Sequence, residues 1–324
     1  MYAIAELQDI ITQALDQRNF SKNPTTLYEP IQYFLNIGGK RLRPVLTLLA
    51  ADLFEATTTD SIPAALAIEI FHNFTLMHDD IMDDAPLRRG QETVHQKWNT
   101  NTAILSGDAM LIIAYQLLAE SRPAYLPNIL STFNKMAQEV CEGQQLDMDF
   151  ANSLQVTEDE YINMIKLKTS VLLGAALEIG AIIGGANTSD RSLMYSFGVN
   201  MGIAFQLQDD ILDVYGDPLK FGKQVGGDII ENKKTYLLIN ALRLAEPDVV
   251  DDINHWINAT VFDPEEKVRA ITHIYDSLGI KQLAEAAKNN FAKEAYAALD
   301  KIRLPRERKQ PLIQFADSLL IRES

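Results

Sequence analysis

Apolar residues along this chain recur mostly three and four positions apart, the spacing of one buried face of an α-helix. The runs predict helices at about 3–18, 27–37, 44–54, 61–83, 102–120 and 126–150. Thr157 with Glu160 forms a capping box for the next, and Ser189 caps a long one that closes near Asp213. Five more are expected at about 235–245, 248–259, 264–278, 280–301 and 309–322, punctuated by Gly279 and Pro305. The fourth helix, opened by Asp60 or Ser61 with Pro63 in its first turn, covers roughly 21 residues, on the order of 30 Å. Gly38-Gly39 breaks the chain between the second and third helices. No alternating strand pattern occurs, so the expected class is all-α.

Two of these apolar runs end in acid. His78-Asp79-Asp80-Ile81-Met82-Asp83-Asp84 closes the fourth helix, and Asp209-Asp210-Ile211-Leu212-Asp213 closes the helix that begins near Ser189. In each, the first and last aspartates of D-D-x-x-D are four apart and share a helix face. Crowded carboxylates are tolerable on a solvated surface or where hard cations screen them. Mg²⁺ takes one or two carboxylates and completes its shell with water and phosphate oxygens, so the implied partner is a diphosphate. Arg88 and Arg89 follow Pro86, and guanidinium forks suit phosphate.

The net charge of -15 over 324 residues excludes nucleic acid as an expected partner, since a phosphate backbone is bound by a basic surface. Small diphosphates remain possible because Lys40, Arg43, Arg88 and Arg89 concentrate positive charge locally. The hydrophobic fraction of 47% supports a substantial core, and no linker or repeat divides the chain, so one domain over 1–324 is expected. The single cysteine, Cys141, reads as a small buried hydrophobe in a reducing compartment. The first residues lack a basic start and apolar core, and no segment approaches an uncharged membrane span, so the reading is a cytoplasmic protein without stable membrane insertion.

Taken in order, Gly38-Gly39-Lys40-Arg41-Leu42-Arg43-Pro44, the first aspartate motif with its arginine pair, Lys168-Thr169, Phe205-Gln206 before the second motif, Gly222-Lys223 and Asn232-Lys233 resemble the trans-isoprenyl diphosphate synthases. That family joins isopentenyl diphosphate to an allylic diphosphate. The resemblance implies one large domain of antiparallel helices around a deep central cavity, two or three Mg²⁺ ions with Mn²⁺ as a possible substitute, and a homodimer. It implies metal contacts from Asp79, Asp80, Asp83, Asp209, Asp210 and Asp213, and catalytic roles for Asp79, Asp83, Asp209, Lys168 and Arg88. Isopentenyl diphosphate would be held by Lys40, Arg43, His72 and Arg89. The allylic diphosphate would be met by Arg88, Lys168, Thr169, Phe205, Gln206, Lys223 and Lys233, with Lys234 an alternative to Lys233. His78 and His95 read as structural.

The resemblance implies that product length depends on the position five before Asp79, here Phe74, with Thr75 next to it; at about 100° per residue Thr75 and Phe71 lie nearer the Asp79 face. This combination resembles enzymes making C20 geranylgeranyl diphosphate, with C15 farnesyl diphosphate next. Two other classes stay open: a terpene cyclase, which pairs one aspartate-rich motif with a differently spaced metal motif, and a non-catalytic subunit of a heteromeric synthase.

Overall fold

The computed structural model describes residues 3–18, 20, 22–153, 155–216 and 225–320, apart from the side chain of residue 152. Their contacts group into two compact units: Met1–Asn134, Ala175–Met194 and Leu304–Leu312 in one, and Lys135–Gly174, Tyr195–Arg303 and Ile313–Ser324 in the other.

The first unit opens with α1 (Ile4–Asp16), α2 (Thr25–Asn36) and α3 (Leu42–Leu53), followed by α4 (Thr58–Met82). Every residue of α4 from Ala64 to Phe71 is buried, Glu69 included, so this stretch is enclosed on all sides and forms the core against α3 and α6 (Thr100–Ala119). It begins three residues earlier than the sequence predicts. Thr57 is the cap: its Oγ1 accepts from Asp60 N at 3.3 Å and donates to Asp60 Oδ2 at 2.8 Å, which builds the first turn before Ser61 and leaves Pro63 inside the helix.

Between α4 and α5 (Val94–Lys97) lies a strand pair that the periodicity does not predict, β1 (Leu87–Arg88) against β2 (Gln91–Glu92). Its turn residues Arg89 and Gly90 have φ of 51° and 77°, the double left-handed geometry of a tight hairpin. Two-residue strands are too short to register as alternation, and the all-α class stands.

By length and composition α6 is long and apolar enough to cross a membrane, although it is not an uncharged span. It carries Asp108 and buries one face on α4, as a core helix does. The small-residue run of α9 (Val171–Ile183) serves close approach in this unit: a Cβ on Gly180 would meet the Thr47 carbonyl of α3 at 2.2 Å.

The second unit contains most of α7 (Leu126–Asn152), α8 (Glu158–Ile165) with the expected Thr157–Glu160 capping box, and a π-helical turn, Lys166–Ser170, that leads into α9. α10 (Thr188–Tyr215) is capped by Asn187, whose Oδ1 accepts from Asp190 N at 3.0 Å; Ser189 is already helical. A single turn, Gly227–Ile230, then precedes helices Tyr236–Leu244, Pro247–Asn258, Pro264–Ser277 and Ile280–Lys301. Their core gathers around Leu207, Ile211, Tyr236, Leu237 and Tyr275.

Cys141 is exposed, not buried. α7 turns Phe133, Met136, Val140 and Gln144 inward, and the residue after Val140 is rotated by about 100° toward solvent.

Candidate active site

In the first unit the chain leaves α2 through Gly38 and Gly39 and enters α3 through Arg41, itself left-handed at φ 50°. Arg41 turns inward, pairs with the buried Glu69 of α4 at 2.5 Å and donates to the Leu35 carbonyl at 2.8 Å. This fixes where α3 starts and so where Arg43 points. Arg43 Nη1 donates to Nε2 of His72 at 3.0 Å. A guanidinium can only donate, so Nε2 carries the lone pair and the imidazole proton sits on Nδ1. Burial, then Arg43, Arg89, Arg88 and Arg41, push the His72 pKa well below its ordinary value and keep the ring neutral. Burial also lowers Arg43 to about 10, against the favourable field of Glu69.

Arg89 lies over the backbone of Gly39, where a Cβ would come within 2.6 Å of its Nη1. Four arginines thus converge with two carboxylates, Glu69 and Asp80, among them. The excess of positive charge is what an anion such as a diphosphate requires. Lys40 is exposed at the same turn, and its carbonyl accepts from Gln8.

The first aspartate motif ends α4. Asp79 is half-buried and Asp83 exposed, one turn apart. Asp80 is 2% exposed and clasped by Arg88, whose Nε lies 2.9 Å from both carboxylate oxygens and whose Nη2 lies 2.7 Å from Oδ1. Arg88 and Asp80, both expected at the ligands, are therefore bound to each other.

In the second unit the second motif ends α10 with the same division of labour. Asp209 is half-buried, while Asp210 is 4% exposed and held by protein donors. Tyr161 Oη donates to its Oδ2 at 2.5 Å, Tyr236 N to the same oxygen at 3.4 Å, and Gln206 Nε2 to Oδ1 at 3.5 Å. Burial raises the Asp210 pKa to about 8, partly countered by the Tyr161 hydrogen bond. Asp213 Oδ2 accepts from Asp228 N at 3.0 Å. Phe205 is half-buried one turn before Asp209.

Lys168 and Thr169 lie in the π-helical turn, a distortion frequent at functional sites. Gly143 of α7 makes room for it, since a Cβ there would stand 2.2 Å from Lys168 N. Lys168 Nζ reaches Asp147 of α7 at 2.5 Å. Lys233 is largely exposed and pairs with Glu231 at 2.9 Å and Asp228 at 3.4 Å. Lys234 instead caps the end of α7, donating to the carbonyls of Phe150, at 3.0 Å, and Ser153. Lys223 lies outside the described residues.

The apolar flank of α4 is aromatic. Phe71, 1% exposed, contacts Phe74 at a centroid separation of 5.6 Å and Phe133 at 5.2 Å; Phe74 stacks edge-on against His78 at 4.8 Å. His78 Nε2 lies 3.1 Å from the Ile104 carbonyl of α6, a structural contact. Thr75 Oγ1 donates to the His72 carbonyl.

Sequence reasoning missed Arg41, Glu69, Asp147 and Tyr161. Arg41 sits inside the Gly38–Pro44 stretch and was legible there; the others signal themselves only through partners distant in sequence.

Among the described residues no three His, Cys, Asp or Glu side chains converge as a ready metal cage. Mg²⁺ needs fewer: Asp79 with Asp83, and Asp209, offer the hard oxygen donors it takes alongside water and phosphate.

A profile of the polyprenyl synthetase family matches residues 24–275. A geranylgeranyl diphosphate synthase of Methanosarcina mazei is 39% identical over 315 residues, covering 97% of this chain and 95% of that protein. A geranylfarnesyl diphosphate synthase of Natronomonas pharaonis is 37% identical over 257 residues, 74% of this chain and 75% of its own. A crystal structure of a geranylgeranyl pyrophosphate synthase superposes with a TM-score of 0.94 at 42% identity, covering 100% of both chains.

Proposed function

The chain belongs to the polyprenyl synthetase family and is a short-chain trans-prenyltransferase, and from that premise we propose that it condenses isopentenyl diphosphate with an allylic diphosphate to give the C20 product, geranylgeranyl diphosphate. The C20 product is favoured by the names of the Methanosarcina mazei relative and of the superposed structure; geranylfarnesyl diphosphate is the name carried by the Natronomonas pharaonis relative. Two or three Mg²⁺ ions would be held by Asp79, Asp83 and Asp209, and when bound they neutralise the diphosphate and make it a leaving group. Asp80, Asp210 and Asp213 act behind these, oriented by Arg88, Tyr161 and the amide of Asp228.

The chain's own groups then divide the reaction. Arg43, Arg89, neutral His72 and Lys40 hold isopentenyl diphosphate, whose double bond is the nucleophile. Lys168, Lys233, Thr169 and Gln206 meet the allylic diphosphate, with Phe205 against its hydrocarbon. Its C–O bond breaks, the diphosphate leaves with the electron pair, and the allylic cation forms. The alkene electrons of isopentenyl diphosphate make the new C–C bond, and the departing diphosphate accepts the proton released. Apolar walls around Phe71 and Phe74 keep out the water that would trap the cation.

The observation that carries this reading is the cluster of four arginines about a neutral histidine beside a D-D-x-x-D motif. The exposed apolar side chains of α6, Ile104, Leu105 and Ile112, supply the face on which we expect a homodimer to form. Incubating the protein with Mg²⁺, labelled isopentenyl diphosphate and dimethylallyl, geranyl or farnesyl diphosphate in turn tests the assignment. A C20 alcohol after phosphatase treatment is expected; C15 or C25 alone refutes the stated length.

A further inference from the structure

Lys267 stands on the helix Pro264–Ser277, and at 1% exposure it is more buried than Asp80 or Asp210. An ammonium withdrawn from water is costly, and usually a carboxylate compensates it. Here, among the described residues, every partner is neutral. Nζ donates to Asn232 Oδ1 at 2.6 Å and to the Ile230 carbonyl at 3.3 Å, and lies 4.4 Å from the centre of the Phe262 ring.

Both acceptors belong to one turn. Ile230 ends the short helix Gly227–Ile230, and Asn232 is left-handed at φ 56° with its Nδ2 donating to the Ile257 carbonyl at 3.2 Å. The next residue is Lys233. The other end of the turn is held by the second aspartate motif, since Asp213 accepts from Gly226 N through its carbonyl and from Asp228 N through its carboxylate. Lys233 pairs with Glu231 and Asp228, which ride on the same turn and move with it. Its position is therefore set by whatever fixes the turn. Among the described residues the cavity beside Lys267 measures about 10 Å³, room for at most one water.

We propose that Lys267 is a positioning residue that clamps the left-handed turn at Asn232 and so sets the point from which Lys233 reaches the allylic diphosphate. The inference rests on the reading of Lys233 given above and adds the origin of its placement.

Steady-state kinetics of Lys267→Met, Asn232→Gly, Lys233→Met and the double variant Lys267→Met/Lys233→Met test it. Methionine keeps the apolar stem and removes the donor; glycine keeps the left-handed backbone and removes the acceptor. Lys267→Met and Asn232→Gly are each expected to raise KM for the allylic diphosphate about tenfold and to leave KM for isopentenyl diphosphate within about twofold. The double variant is expected to be no worse than Lys233→Met alone, because a clamp has nothing to position once the lysine is gone. Should Lys267→Met fail to fold, Asn232→Gly carries the comparison. A lower melting temperature with unchanged allylic KM, or losses that multiply in the double variant while Lys233→Met is itself impaired, overturns the role of Lys267 alone. A silent Lys233→Met overturns the reading of Lys233, and the clamp with it.

Discussion

Tyr161 donates its hydroxyl proton to Oδ2 of Asp210 across 2.5 Å, and neither group is open to solvent. Asp80 stands in the same relation to Arg88 at the other motif. In both D-D-x-x-D sequences the central carboxylate is thus an internal anchor that orients the final turn of its helix, and the first carboxylate is left toward the solvent side. Removing the phenol leaves a buried carboxyl group one donor short. Tyr161→Phe is expected to lower stability by about 1–3 kcal/mol and to reduce kcat, as read by thermal melting and steady-state turnover. Unchanged turnover would show that the anchor does not orient Asp209.

His72 supplies a pH dependence. Its folded pKa lies well below the ordinary value, mainly through burial and then through the surrounding arginines. Above about pH 6.5 the ring is neutral in both folded and unfolded chains and contributes no slope. As pH falls below that, the unfolded chain takes up a proton that the folded one refuses, so stability is lost by up to about 1.4 kcal/mol per pH unit. His72→Gln is expected to flatten the denaturation midpoint between pH 6.5 and 5 relative to the unaltered protein. Parallel curves would contradict a neutral, buried His72.

Arg89 is held over Gly39, which fixes its planar fork in one place. Lysine keeps the charge and loses the fork. Arg89→Lys should raise KM for isopentenyl diphosphate about tenfold, on the order of 1.4 kcal/mol, with KM for the allylic substrate little changed. The reverse pattern would assign Arg89 to the other diphosphate.

Phe71 and Phe74 are distinguished by burial. Phe71 is enclosed between Phe74 and Phe133, whereas Phe74 is half-buried against His78. Phe71→Ala is expected to cost about 3–5 kcal/mol of stability. Phe74→Ala is expected to cost less and to lengthen the product beyond C20, read by chromatography of the dephosphorylated alcohols. If neither substitution changes the product, the floor of the tunnel lies elsewhere.

Much of this was legible because it is local. Helix spans follow from periodicity, and the two acidic motifs announce themselves by repeating at the ends of apolar runs. What stayed hidden depends on partners far along the chain. Tyr161 reads as one more apolar position of α8 until Asp210, 49 residues away, is seen beneath it. Glu69 looks like a misplaced charge in a core helix until Arg41 meets it. Lys233 and Lys234 are indistinguishable by position and separate only because the carbonyl end of α7 takes Lys234. Cys141 failed for another reason: composition favours burial for cysteine, but the helix phase set by Val140 and Gln144 overrides it.

The central claim, that the aspartates opening the two motifs serve one ionisation, is tested most directly by turnover with labelled isopentenyl diphosphate and farnesyl diphosphate in Mg²⁺. Asp79→Ala and Asp209→Ala would be compared singly and together, with helix content followed by circular dichroism. Each single change is expected to lower turnover by on the order of 10²–10³-fold or more, with helix content intact, chelation to abolish activity in the unaltered protein, and the pair to lose less than the product of the two. Near-normal turnover in either single variant, or condensation that persists in excess chelator, would contradict it.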